Sequence, residues 1–382
     1  MKKGLLIFGL ALLVRISFLI LAPERPLNID DAISWDSVAW NFLNGRGFTE
    51  IDGKPTSVRP PVYPVFLSII YFLFGRNYYI VYLVQSIIGA LICLLIFLLS
   101  KRFFNDTTSF IAGIFCSVWP PLVVYTGIIS SEILFTFLLL LFLIFLYNEK
   151  ISPILSGIVL GITNLTRSTI VVYPIFIIIF LLLIKSNFKE VKKIITIFVV
   201  SLIVVLPWTI RNCIVFKRFL LINTSAGELF FSGTYLPWDG ICKHNRDENF
   251  FKIFNLDNPV DNEKKMFIYG LKNIKENPLG FLKLSIKKFF RFWFKPVGQE
   301  LTSKKYPVVG KLMYLPQIIL VLLSWFFLIR YYRPQFLYLL ILFFYFTIMH
   351  NLLSPIPRYR LPIEPLIIMF IPPLLLKFFG YE

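Results

Sequence analysis

Apolar runs of helical length recur along this chain and decide what it can fold into. The stretches 4–22, 78–99, 107–125, 132–147, 152–167, 170–184, 193–210, 312–329, 335–350 and 362–379 carry almost no charge. A helix needs about 20 mostly apolar residues to cross a bilayer, with a working range near 17–25. Some of these runs are short, as in a protein whose helices end at a cavity. The 382 residues are 57% hydrophobic and 16% charged, against about 25% charged in a soluble domain. Disorder, a collagen-like fibre and a small disulfide scaffold are excluded. The expectation is an all-α polytopic membrane protein with about 10–11 transmembrane helices in one domain, 1–382.

The first run looks like a signal peptide, because Lys2 and Lys3 precede it. Arg15 interrupts it, however, and no small-x-small site follows before Pro23, so a retained first span is expected. Residues 62–75 are apolar but too short to span, and read as a half-buried or re-entrant helix. The formal charge is +18. In a membrane protein such charge serves topology and anionic headgroups, so nucleic acid is not expected as a partner. With the N-terminus inside, short cytoplasmic ends hold 12 Lys and Arg, and outer segments other than the longest loop hold 7. Both termini are therefore expected in the cytoplasm. Cys93, Cys116, Cys213 and Cys242 offer no metal-ligand spacing.

Two polar segments remain outside: a first loop, 23–77, with short juxtamembrane helices, and a long loop, 211–311. Within the latter, 278–296 alternates Lys or Arg with Phe, Leu and Trp at near-helical spacing, as in a helix lying in the headgroup plane.

Ionisable groups near hydrocarbon are costly, so their positions are informative. Asp30, Asp31, Asp36, Arg59, Glu132, Arg167, Arg211, His350, Arg358 and Arg360 all fall at or beyond the outer ends of spans. Mid-span positions are Leu, Ile, Phe and Val, with Arg15 as the main exception. A channel would distribute polar groups through its depth, and a transporter would place them at the midplane. An outward-facing catalytic cavity fits better. Asp31 to Leu43 suits a short helix that Asp30 or Asp31 could cap, yet two adjacent acids rarely both cap one helix. Glu132 is either a first-turn residue favoured by the helix dipole or a second acid. Arg358 and Arg360 flank Tyr359 between two prolines, either as interfacial anchors or as a forked grip on phosphate. Two histidines cannot build a histidine cage, and a divalent cation on the acids at 30, 31 and 132 stays open.

The ordered set Asp31, Trp35, Ala39, Arg59-Pro60-Pro61-Val62-Tyr63-Pro64, Gln85, Trp119-Pro120-Pro121, Ser131-Glu132, Leu165-Thr166-Arg167, Leu206-Pro207-Trp208, His350 and Arg358-Tyr359-Arg360-Leu361-Pro362 resembles the GT-C integral-membrane glycosyltransferases. The resemblance is to the group related to dolichyl-phosphate-mannose protein mannosyltransferases and aminoarabinose transferases. Trp35 stands where that group commonly has Tyr. The resemblance implies a GT-C fold and sugar transfer from a polyprenyl-phosphate carrier at the extracytoplasmic face. The acceptor would be a lipid, glycan or protein, with membrane lipids as surroundings. It implies Asp31 and Glu132 as catalytic acids, and Arg358, Arg360 and Arg211 as binders of the donor phosphate. Asp30, Trp35, Arg59, Tyr63, Arg167 and His350 would line the cavity or bind acceptor. One carboxylate base in a single displacement would invert the anomeric carbon. A transporter or flippase of lipid-linked sugars is the alternative.

Overall fold

The computed structural model describes residues 2–21, 30–242, 254, 258–297, 314–330 and 333–378. In chain order its α-helices are α1 (Lys2–Leu21), α2 (Asp30–Leu43), α3 (Val62–Phe74), α4 (Tyr78–Ser100), α5 (Asp106–Val118) and α6 (Pro120–Val124). There follow α7 (Glu132–Leu146), α8 (Pro153–Thr166), α9 (Tyr173–Leu183), α10 (Phe188–Phe216), α11 (Ala226–Thr234) and α12 (Pro259–Glu276). The series ends with α13 (Pro278–Phe294), α14 (Tyr314–Arg330), α15 (Leu337–Leu352), α16 (Glu364–Ile368) and α17 (Ile371–Phe378). Among the described residues the only β feature is an isolated bridge between Thr49 and Pro55. The chain is an all-α, multi-pass membrane protein.

Helices α1, α4 and α10, and the stretch Pro334–Leu352 that contains α15, are each long and apolar enough to cross a bilayer. Others are shorter. The 15 residues of α7 and 14 of α8 reach only ~22 Å at 1.5 Å per residue, against ~30 Å of hydrocarbon. Both stop at one end of the bundle, where Glu132 opens α7 and Arg167 follows α8. The helices are short where the protein is hollowed. Ile7, Ile92, Cys116, Leu139 and Phe142 are buried at the centre, where α1, α4, α5 and α7 meet.

Three expectations about the spans need correction. The expected run 107–125 breaks at Pro120, bending 54° between Asp106–Val118 and Pro120–Gly127. The run 362–379 is not one helix. It opens as the 3-10 turn Pro357–Ile363 and continues as α16 and α17. Proline lacks the N–H that would continue the ladder, and both regions are proline-rich. In contrast, α10 runs through Pro207 and past the expected exit at 210, ending at Phe216. The amphipathic helix expected at 278–296 is α13, while α11 and α12 in the same loop were not foreseen.

The break explains Arg15. Ser117 would normally pair with the N–H four residues on, but that residue is Pro121. Arg15, wholly buried, reaches across with Nη1 and donates to Ser117 O at 3.2 Å and to Ala11 O at 3.0 Å. Its cation also lies at the carbonyl end of α5, where the helix dipole favours it.

Helix α3 is held at both ends by α2. Arg59, just before α3, binds Asp31 at 2.9 Å; Tyr71, near its end, donates to Asp36 Oδ1 at 2.7 Å. Arg76 pairs with Asp36 as well.

Helices α8 and α10 pack closely where α8 carries glycine. Gly157 and Gly161, one turn apart, receive Val200 and Val204 and the carbonyls of Ile197 and Ser201 from α10, the small-residue spacing that lets membrane helices approach closely. A Cβ at position 161 would stand 2.5 Å from Val204 Cβ and 3.0 Å from Ser201 O. Gly161→Ala is expected to cost about 1–3 kcal/mol, read as a lower thermal midpoint in detergent. An unchanged midpoint would show that the two helices are not closely apposed.

Candidate active site

Five segments distant in sequence meet at the end of the bundle where the short helices stop. Asp31 lies in the first turn of α2, and both its carboxylate oxygens accept from arginines. Oδ1 accepts from Arg59 Nη2 at 2.9 Å, and Oδ2 accepts from Arg358 Nη2. Pro60 disfavours a helical backbone at Arg59, which stays outside α3 and turns its side chain to α2. Its guanidinium lies over the Trp35 ring at 4.7 Å, and its Nε donates to Ser34 Oγ at 2.8 Å. Ser34 donates in turn to Glu50 Oε2, and Thr56 to Glu50 Oε1, both at 2.7 Å. Glu50 braces the base of the loop, so the loop fixes Arg59 and Arg59 fixes Asp31.

Glu132 is buried. It takes Arg167 Nη1 at 2.8 Å and the Ser130 hydroxyl, and Arg358 Nε lies 3.9 Å away. Arg358 thus stands between the two acids. A small cleft opens here, lined by Glu132, Arg167, Thr169, His350, Arg358 and Tyr359 among others. His350 is sandwiched in near-parallel rings, 5.2 Å from Phe292 and 5.1 Å from Tyr359. Its Nδ1 is buried and has no hydrogen-bond partner among the described residues.

Among the described residues Arg59, Arg167 and Arg358 face Asp31 and Glu132, and Glu50 stands behind Arg59, one Ser34 hydroxyl away. Burial would raise the Asp31 carboxyl, but the Arg358 and Arg59 guanidiniums outweigh it and hold the group well below the ordinary carboxylate range. Asp31 is therefore an anion at every physiological pH. The arrangement can receive an anion beside a fixed carboxylate.

Other sequence-selected residues lie elsewhere. Tyr63 is buried behind Trp35, edge-on at 5.2 Å, and donates to Gln85 Oε1 at 2.8 Å; it supports the site from beneath. Arg360 points away from Arg358, because a 3-10 turn advances about 120° per residue and places i and i+2 on different faces about 120° apart. It is fully buried against Glu364 at 3.1 Å, Phe292 O at 2.7 Å and Gln317 Oε1 at 3.3 Å. The expected phosphate-gripping pair is thus divided. Arg211 donates to Thr56 O at 3.1 Å and Phe48 O at 3.2 Å and lies over Trp208, tying the first loop to α10. The Asp30 side chain lies outside the described residues.

No group of three or more His, Cys, Asp or Glu suited to a metal occurs among the described residues. Ser34 and Glu50 were not anticipated. A serine and an acid in a polar loop carry no sequence signal until the loop folds.

A family model described as dolichyl-phosphate-mannose-protein mannosyltransferase matches residues 58–210. That region includes Arg59, Glu132 and Arg167 but neither Asp31 nor Arg358. Curated protein sequences give no match. Solved structures do. The oligosaccharyltransferase of Archaeoglobus fulgidus in its apo form superposes with TM-score 0.58 at 15% identity, over 98% of this chain and 50% of that one. The same archaeal enzyme, AglB, in complex with an inhibitory peptide and a dolichol-phosphate gives TM-score 0.57 at 15% identity, over 98% and 50%. The chain spans about half the length of these oligosaccharyltransferase chains. ArnT from Cupriavidus metallidurans, bound to undecaprenyl phosphate, superposes more loosely, with TM-score 0.47 at 12% identity over 95% of this chain and 77% of that one. Helix order and superposition over nearly the whole chain identify the architecture as the GT-C fold of membrane glycosyltransferases.

Proposed function

We propose that this protein transfers a sugar from a polyprenyl-phosphate donor to an acceptor hydroxyl at the extracytoplasmic face, with inversion at the anomeric carbon. The carrying observation is Arg358 standing between Asp31 and Glu132 at the cleft wall. Displacing a lipid phosphate requires positive charge for the leaving group and an acceptor for the incoming hydroxyl proton. Arg358 and Arg167 supply the first requirement and Asp31 the second. Glu132 holds Arg167 at the cleft wall. The matched family model and a relative solved with dolichol-phosphate favour a lipid-phosphate donor. The excess of Lys and Arg at the short loops of the opposite end favours an outward-facing cleft.

The reaction balances as one displacement. The bond from C1 to the phosphate oxygen breaks, that from C1 to the acceptor oxygen forms, and the hydroxyl proton moves to Asp31. A carboxylate held by two arginines is a weak proton acceptor. An arriving phosphate competes for Arg358, frees one Asp31 oxygen and raises its proton affinity as the donor seats. His350, stacked beside Tyr359 with Nδ1 unpaired, lies where it can meet donor or acceptor.

Asp31→Asn is expected to lower turnover by about 10²–10⁴ in a protein that still folds and inserts, with a thermal midpoint lowered by loss of the two arginine pairs, measured with purified protein and radiolabelled polyprenyl-phosphate sugars. Normal turnover in this variant would reject Asp31, and translocation of intact donor without phosphate release would favour a flippase instead. The two arginines should separate. Arg358→Ala raises the donor KM in a folded protein, whereas Arg360→Ala leaves the Glu364 carboxylate buried without a counter-charge and loses about 3–5 kcal/mol of stability. Equal effects of both substitutions on donor KM, at equal stability, would contradict this division. Activity should fall as pH drops and Asp31 protonates. Because donor binding loosens the clamp, the acid limb of kcat should lie at higher pH than that of kcat/KM; coincident limbs would refute the loosening.

A further inference from the structure

Beyond the cleft, the largest unexplained feature is the outer surface of α12 and α13, which pack as a hairpin at the cleft end of the bundle. The inward side of α13 is fully engaged. Leu284, Lys288, Arg291 and Phe292 are buried, and Lys288 Nζ donates to Gly233 O at 2.7 Å. Burial lowers that ammonium to a pKa of about 7, with Arg291 adding to the shift. The opposite side is bare. Leu279, Leu282, Ile286 and Phe290 are 54–72% exposed, and at 100° per residue they fall within an arc of about 80°. Phe267, Ile268 and Leu271 form a matching exposed strip on α12.

Lysines border and interrupt these strips. Lys283 follows the α13 arc, and Lys264 and Lys275 share the face of α12; all three are exposed and have no ion-pair partner among the described residues. Nearby acids are already engaged. Asp261 pairs with Arg218 at 2.9 Å, Glu263 accepts from Gly227 N at 2.7 Å, and Glu276 faces Lys272. The surface thus joins an uncovered apolar arc to uncompensated positive charge. Long lysine stems can lie along apolar surface while the ammonium reaches a polar layer.

We infer that the outer face of the α12–α13 hairpin is a docking surface for anionic phospholipid, with acyl chains on the apolar arc and acidic headgroups on Lys264, Lys275 and Lys283. A zwitterionic bilayer would cover the arc but leave the lysines unpaired. Each lysine near an anionic surface is worth about fivefold in affinity, so three amount to roughly a hundredfold. This inference is independent of the proposed transferase activity.

The test is backbone amide exchange of the full chain in nanodiscs of phosphatidylcholine alone, or with about a third phosphatidylglycerol, at about 0.05 M and about 0.5 M salt. Phosphatidylglycerol should slow exchange across 261–294 by about tenfold at low salt. High salt should remove most of that protection, and so should the triple variant Lys264→Gln, Lys275→Gln, Lys283→Gln. These exposed substitutions leave folding within about 0.5 kcal/mol, and the salt comparison on the unaltered chain does not depend on them. Equal exchange in both lipids, or protection that survives the triple substitution, would overturn the assignment.

Discussion

Arg358 between Asp31 and Glu132 is the contact on which the cleft depends. Each partner alone would be an expensive ion near hydrocarbon, and together they hold one another in place. The three residues come from the turn after α15, the start of α2 and the start of α7. One guanidinium therefore ties the first polar loop and the last helical segment to the bundle. Arg59 and Arg167 complete the set.

A second polar economy operates inside the bundle. Pro120 and Pro121 break the helix and orphan carbonyls, and Arg15 from the neighbouring span takes one of them. Glu364 and Arg360 form a buried pair, and the Trp119 indole N–H, at the same break, donates to Glu364 at 2.7 Å. These residues hold the bent segments together and leave Arg358 to face the cleft. Two arginines two positions apart thus have unrelated work, because the turn between them is 3-10.

Much of this could be read from residue order. The spans were legible because apolar runs in a membrane admit little other than helix, and the position of α13 was legible from its alternating pattern. That Asp31, Glu132, Arg167 and His350 belong to one end followed from where each sits relative to its run. Assignments of individual side chains were less reliable. Arg360 and Arg211 share the charge and depth of Arg358, yet each is bound to backbone carbonyls or a buried acid. Ser34 and Glu50, which brace Arg59, had no recognisable spacing at all. Helix ends were misjudged where proline was tolerated in α10 and where it was not, after α5 and before α16.

The linear chain determined an all-helical membrane protein and the end at which its polar groups collect, because hydrophobic length and the placement of charge are local properties. Which arginine meets which acid was decided only by tertiary structure. That choice depends on helix phase, on where prolines bend the backbone and on which buried carbonyls need a donor, and those quantities exist only once distant segments have packed.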